Sequence, residues 1–222
     1  MREVMPETGP EIRPEPQYAT LEQQAEVAAF GMWVFLATEV LFFGGMLFSY
    51  AVYRGMFPDG FAEAGRHTKI VIGTINTVIL LTSSFVVAWG VHLAERGRGR
   101  GVAVLLGVAA LFGIAFLGLK GLEYHQEWDE GLVPGLRFAE QGPHAQAMEL
   151  FYFLYFMLTG VHGLHVTIGV VLLGTMAVRA WRGAFSSGYY TPVEVSGLYW
   201  HFVDIVWIFL YPLIYLVGRS GG

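Results

Sequence analysis

The residues that could do chemistry in this chain are acids, imidazoles and one lysine set inside apolar runs. Glu39 lies in the middle of WVFLATEVLFFGGMLF (33–48). An ionised carboxylate at the centre of a membrane helix costs about 2.5 to 3.5 kcal/mol on insertion scales, so Glu39 needs a partner. It is either protonated and hydrogen-bonded to a hydroxyl or amide, or ionised against a cation on another helix. Thr38, Thr77, Asn76 and several histidines are available for this. A second group is His162 and His165 in TGVHGLH (159–165), and a third is His201 and Asp204 in YWHFVD (199–204). Residues spaced i and i+3 share one helical face, so each pair could in principle supply two metal ligands. Among apolar helices an imidazole more often serves as a hydrogen-bonding spacer, and Gly160 and Gly163 suggest a face shaped for close helix approach. Lys120, Glu123 and Tyr124 follow one another in KGLEYH (120–125). They read as a snorkelling lysine paired with a glutamate where a helix leaves the apolar core.

None of these sets completes a catalytic constellation. The sequence has no cysteine, which removes thiolate metal sites and cysteine nucleophiles. It also has no P-loop, no G-x-S-x-G and no dinucleotide fingerprint. The widely spaced paired histidines of a two-haem cytochrome are missing, and His92 falls at a helix end. No metal or cofactor is expected in this chain. Trp200, Trp207, Tyr211 and Tyr215 read as packing and interface anchors.

The elements that must position these residues are membrane helices. Of the 222 residues, 55% are hydrophobic and only 14% are charged, against roughly 25% charged in a soluble domain. Five stretches are long enough to cross a hydrocarbon core, which takes about 20 residues. They run over about 28–53, 70–92, 102–122, 150–178 and 196–217. Their hydrophobicity is continuous, without the period-two alternation of barrel strands, and only helices or closed barrels satisfy the backbone in lipid. The expected fold is therefore all-α: a polytopic membrane protein whose five transmembrane helices form one domain over 28–218. Residues 1–27, with Pro6, Pro10, Pro14, Pro16 and six of the chain's 18 acidic residues, are expected to be a flexible acidic tail. They lack the apolar segment of a signal peptide. Three arginines, Arg96, Arg98 and Arg100, crowd the connection between the second and third spans, and basic loops stay on the cytoplasmic side. That places the N-terminus in the cytoplasm, the C-terminus outside, and the acidic connection at about 125–149 on the outer face. A net charge of −5 argues against nucleic acid as a partner.

With these segments in view, the chain resembles subunit III of the haem-copper respiratory oxidases, the cytochrome c oxidase polypeptide III family. GLYWHFVDIVWIFLYPLIYLVG (197–218) is similar to the closing signature of that family. FYFLYFMLTGVHGLHVTIGV (151–170), WVFLATEVLFFGG and INTVILLTSSFVVAWGVH (75–92) resemble its other helices. The resemblance covers about 28–218 in a five-helix form, where larger members have seven helices around a lipid-filled cleft. Lys120 stands where many members have Gln.

The resemblance implies a non-catalytic subunit of a proton-pumping complex that reduces dioxygen to water in a bacterial-type inner (cytoplasmic) membrane. Haems and copper would belong to the partner subunits I and II, with membrane lipids as neighbours and a bound phospholipid possible. Glu39 would support proton uptake and the working life of the active site. Glu123, Tyr124, His162, His165, His201 and Asp204 would serve interhelical hydrogen bonding. The donor, cytochrome c or a quinol, would bind elsewhere. The alternatives are an accessory membrane protein of a nitric oxide reductase system and an independent transporter. A transporter usually shows internal repeats and broken helices, and neither is present in the sequence.

Overall fold

The computed structural model describes residues 14–219, so the first part of the expected tail, 1–13, lies outside the described residues. The chain forms α1 (Leu21–Met56), α2 (Pro58–His67), α3 (Ile70–Glu95), α4 (Gly99–Asp129), β1 (Leu132–Val133), β2 (Arg137–Phe138), α5 (Ala145–Trp181) and α6 (Thr191–Tyr215). Five of these, α1, α3, α4, α5 and α6, are long and apolar enough to cross a membrane.

The helices overrun the apolar runs that nucleate them, and each overrun has a local cause. α1 begins at Leu21 instead of Ala28, because Thr20 caps it: its hydroxyl accepts from Gln23 N at 3.1 Å while Gln23 Oε1 accepts from Ala19 N at 2.9 Å. Such a reciprocal cap contributes about 1 kcal/mol, so residues 21–27 are helical and not tail. α4 continues seven residues past Leu122 to Asp129. Its 31 residues span about 46 Å at the α-helical rise. Glu123 and Glu127 near its end are buried by neighbouring helices. The remainder of the expected 125–149 loop is an antiparallel hairpin pairing Leu132 with Phe138, then a short turn into α5. Pro58, set at the first position of a helix, starts α2. That helix buries Phe61 edge-on to Tyr50 of α1 and Phe151 of α5.

α3, α4, α5 and α6 form a four-helix bundle, and α1 packs outside it against α5 and α6. The end of α1 is tied to the end of α6: the Tyr50 hydroxyl donates to the Leu213 carbonyl. Arg66 donates to Gly218 O at 3.0 Å, and Arg219 donates to Thr68 O at 2.7 Å. The start of α1 lies beside Tyr189 and Thr191 at the start of α6. The two helices therefore run parallel, and the first and last described residues sit at opposite ends of the bundle.

Close helix approach is not at Gly160 and Gly163, where a Cβ would meet nothing closer than 3.8 Å. It is at Gly60 of α2, where a Cβ would run into Ala147 of α5, and at Gly169 of α5 and Gly113 of α4, where it would lie 2.6 Å and 2.7 Å from the fully buried Trp200 ring of α6. The indole fills a slot that only hydrogen on both glycines leaves open. Outside the bundle, Phe30, Leu41 and Phe48 of α1 are exposed, as are Leu111 of α4 and Leu164 of α5, the surface of a protein solvated by lipid.

Candidate functional site

Polar side chains gather in two places. The first lies where α1 leans on α5. Glu39 Oε2 is 3.1 Å from His165 Nε2, and the other ring nitrogen, Nδ1, is 2.9 Å from the Val161 carbonyl. A carbonyl oxygen only accepts, so Nδ1 carries a hydrogen. The 3.1 Å contact then holds one proton between two atoms. Either Glu39 donates to a neutral imidazole, or an imidazolium donates to a carboxylate, and both forms leave the pair neutral overall. The Tyr199 hydroxyl donates to the His165 carbonyl at 3.1 Å, and the Phe43 ring meets the imidazole edge-on at 5.1 Å. The pair is only partly closed, with side-chain exposures of 18% for Glu39 and 12% for His165. His165 is thus the partner that Glu39 required. Thr38 donates to Phe35 O, and Thr77 donates to Gly73 O while accepting from the Trp207 indole at 3.0 Å.

The second place is the end of α4. Lys120 does not snorkel: it is 4% exposed, because α5 and α6 close over it. Its ammonium donates to Glu123 at 3.0 Å, to Tyr155 at 2.7 Å and to Tyr215 at 2.8 Å. The Tyr215 hydroxyl in turn donates to the Glu123 carboxylate at 2.8 Å. The Lys120 ammonium also lies over the Tyr155 ring, 4.4 Å from its centre, a contact that strengthens where water is excluded. Thr159 donates to Tyr155 O at 2.7 Å, so the 2.6 Å contact beside it has Tyr124 as donor and Thr159 as acceptor.

Interhelical hydrogen bonds therefore involve Glu123, Tyr124, His165 and also His201, whose Nδ1 is 2.7 Å from the Ser84 hydroxyl of α3. His162 and Asp204 depart from that expectation. Among the described residues neither His162 nitrogen has a hydrogen-bond partner, and its ring stacks on Trp207 at 5.2 Å. The Asp204 carboxylate is buried near the Ser84 hydroxyl, and among the described residues it has no well-formed hydrogen bond. Sequence reasoning gave no polar role to Tyr155 or Glu127 and read Tyr215 as a packing anchor, whereas its hydroxyl bonds Lys120 and Glu123. The signal for Glu127 was its spacing, four residues after Glu123 and seven after Lys120 on one face. No group of three or more potential metal ligands occurs among the described residues.

The family described as cytochrome c oxidase subunit III matches residues 18–219, which includes both polar places and every spanning helix. The chain belongs to that family. It is 33% identical over 198 residues to the cytochrome c oxidase subunit 3 of Thermostichus vulcanus, covering 89% of this chain and 90% of that one. It is 29% identical to the quinol oxidase subunit 3 of Bacillus subtilis, covering 91% and 95%. It is also 29% identical to the cytochrome bo(3) ubiquinol oxidase subunit 3 of Pseudomonas putida, covering 87% of each. As a subunit III it is a multi-pass membrane component of an oxidase complex. One further feature of this subunit III is an apolar cleft of about 410 Å³ between α1 and α6, lined by Trp33, Val40, Phe43, Phe202 and Ile205 among others.

Proposed function

We propose that this chain is the metal-free subunit III of a proton-pumping oxidase that reduces dioxygen to water. It packs beside the catalytic subunit I, with subunit II as its other partner, and those two hold the haems and copper. It lies in a bacterial-type inner membrane with its N-terminus in the cytoplasm and its C-terminus outside. Within the complex Glu39 supports proton uptake and thereby the working life of the active site.

The observation that carries this reading is the Glu39–His165 contact of 3.1 Å, partly open beside the outlying helix α1. A neutral pair that shares one proton can accept a proton on one side and release one on the other without creating an isolated charge at membrane depth, the step lipid penalises most. The apolar cleft between α1 and α6 supports the accompanying expectation of a bound phospholipid chain. The relatives' names include both cytochrome c and quinol oxidases, in keeping with a donor site carried by other subunits. Those names also favour an oxidase over the nitric oxide reductase alternative.

Isolation in mild detergent, with identification of the co-purifying chains and a visible spectrum, tests the proposal. The expected result is co-isolation with two larger oxidase subunits, oxygen-reducing activity and haem absorption that stays with the partners when this chain is stripped away. Co-isolation with a nitric oxide reductase, or stoichiometric iron or copper in the separated chain, would overturn it.

A further inference from the structure

Two carboxylates and one ammonium are shut inside the hairpin end of the bundle: Lys120 is 4% exposed, Glu123 0% and Glu127 1%. An ammonium has three donors, and all three are committed, to Glu123, Tyr155 and Tyr215. The single hydroxyl hydrogen of Tyr215 also goes to Glu123. The negative charge of Glu123 is therefore answered twice. Glu127 lies one turn further along the same face, beside Lys120 and Glu123; the Tyr155 hydroxyl is the donor nearest to it, yet among the described residues neither of its oxygens has a well-formed hydrogen bond. The buried Tyr152 hydroxyl in the same neighbourhood also has no hydrogen-bond partner among the described residues.

The other charged groups facing this end do not help Glu127. Glu130 and Glu140 are acids, and Lys69 is occupied by Glu130 at 2.5 Å. Among the described residues, Tyr152 and Tyr155 of α5, Tyr215 of α6 and Tyr124 of α4 surround it, and the buried His162 imidazole of α5 faces the cluster from the Lys120 side, offering no fixed positive charge to Glu127. The cluster counted fully ionised carries one uncompensated negative charge, and leaving such a charge buried costs several kcal/mol. A metal cation is a poor answer, because it would sit against the Lys120 ammonium. A proton is not.

We propose that this cluster is a proton-binding site: one proton resides on the Glu123/Glu127 carboxyl pair with Glu127 as its holder, and Lys120 is the fixed countercharge of Glu123. Two nearby carboxyls that share one proton form a single titrating unit. The unit is distinct from Glu39, being built on α4, α5 and α6 without α1.

The count of protonated carboxyls is the test, read by infrared spectroscopy of the intact complex with isotope-labelled glutamate. The wild type should show one protonated-carboxyl band from this cluster, shifting in heavy water. E127Q should assemble normally, since a carboxamide has the shape of the neutral acid, and should lose that band. E123Q should also lose it, because Lys120 then pairs with an ionised Glu127. K120Q should gain a second band, as both acids become neutral. If K120Q fails to assemble, the K120Q/E123Q double variant should assemble with one band, restoring the balance. Absence of the band in the wild type, a single band in K120Q, or a carboxylate band that responds to sodium or potassium in place of protons would each overturn the proposal.

Discussion

The Lys120–Glu123 and Glu39–His165 pairs are both acid–base contacts, at 3.0 Å and 3.1 Å, and both are anchored by a tyrosine hydroxyl. What separates them is enclosure. Lys120 and Glu123 are walled in by α4, α5 and α6, with no open side. Glu39 and His165 meet where a peripheral helix crosses the bundle, and both keep some exposure. Enclosure decides what a polar pair can do. The sealed pair must be satisfied internally, so its partners define how three helices register, and removing one leaves a charge with nowhere to go. The partly open pair can be completed from outside, by a neighbouring subunit or water, so it can exchange a proton without being essential to the bundle.

The sharpest way to break this contrast is at Lys120. Lys120→Met leaves Glu123 and Glu127 without a cation, and removing one partner of a buried pair costs about 3 to 5 kcal/mol, less whatever Glu123 recovers by taking a proton. The retention of this chain in the complex during heating should fall accordingly, and retention equal to wild type would show that the pair does not hold the bundle. Tyr215→Phe removes the donor to Glu123 and one acceptor of Lys120. The expected loss is about 1.5 to 3 kcal/mol, the range for hydrogen bonds to charged groups. It should read out on the same heating curve as an intermediate shift.

A third substitution asks whether the sealed region depends on packing as well as charge. Gly169→Ala places a methyl 2.6 Å from the Trp200 ring, and overpacking of this kind costs about 1 to 3 kcal/mol. Gly160→Ala, where the nearest atom is 3.8 Å away, should be neutral by the same assay. Equal effects of the two would mean that the indole slot is not what sets the spacing of α4, α5 and α6.

The five spanning helices were legible in the sequence because hydropathy and length are local properties. The ends were not: the start of α1 depends on a cap at Thr20 that carries no apolar signal. The end of α4 passes through Glu123 and Glu127, polar residues that look like loop until α5 and α6 cover them. Glu39 was legible as a residue needing a partner, because the cost of a carboxylate in lipid can be stated from one residue. That His165 is the partner depends on α1 and α5 meeting at the right height, 126 positions apart in the chain. The misreading of Lys120 has the same origin. A lysine near a helix end has long, flexible reach in isolation, and only the positions of Tyr155 and Tyr215 turn it inward.

The smallest structural effect and the largest functional one should coincide at Glu39. A glutamine there can still donate its amide hydrogen to His165 Nε2, so Glu39→Gln should keep α1 in place. Hydrogen bonds between membrane helices average only about 0.6 kcal/mol, and the heating curve should barely move. The carboxamide cannot release a proton in the physiological range, so the pair no longer exchanges one. Oxygen reduction coupled to proton uptake should slow, or activity should decay over fewer turnovers, while assembly and the haem spectrum stay as in the wild type. Unchanged turnover and unchanged lifetime in this variant would defeat the functional role of Glu39 and leave it as a helix contact. The opposite failure, loss of the chain from the complex, would show that enclosure is not what distinguishes the two pairs, since the partly open one would then hold the bundle as strongly as the sealed one.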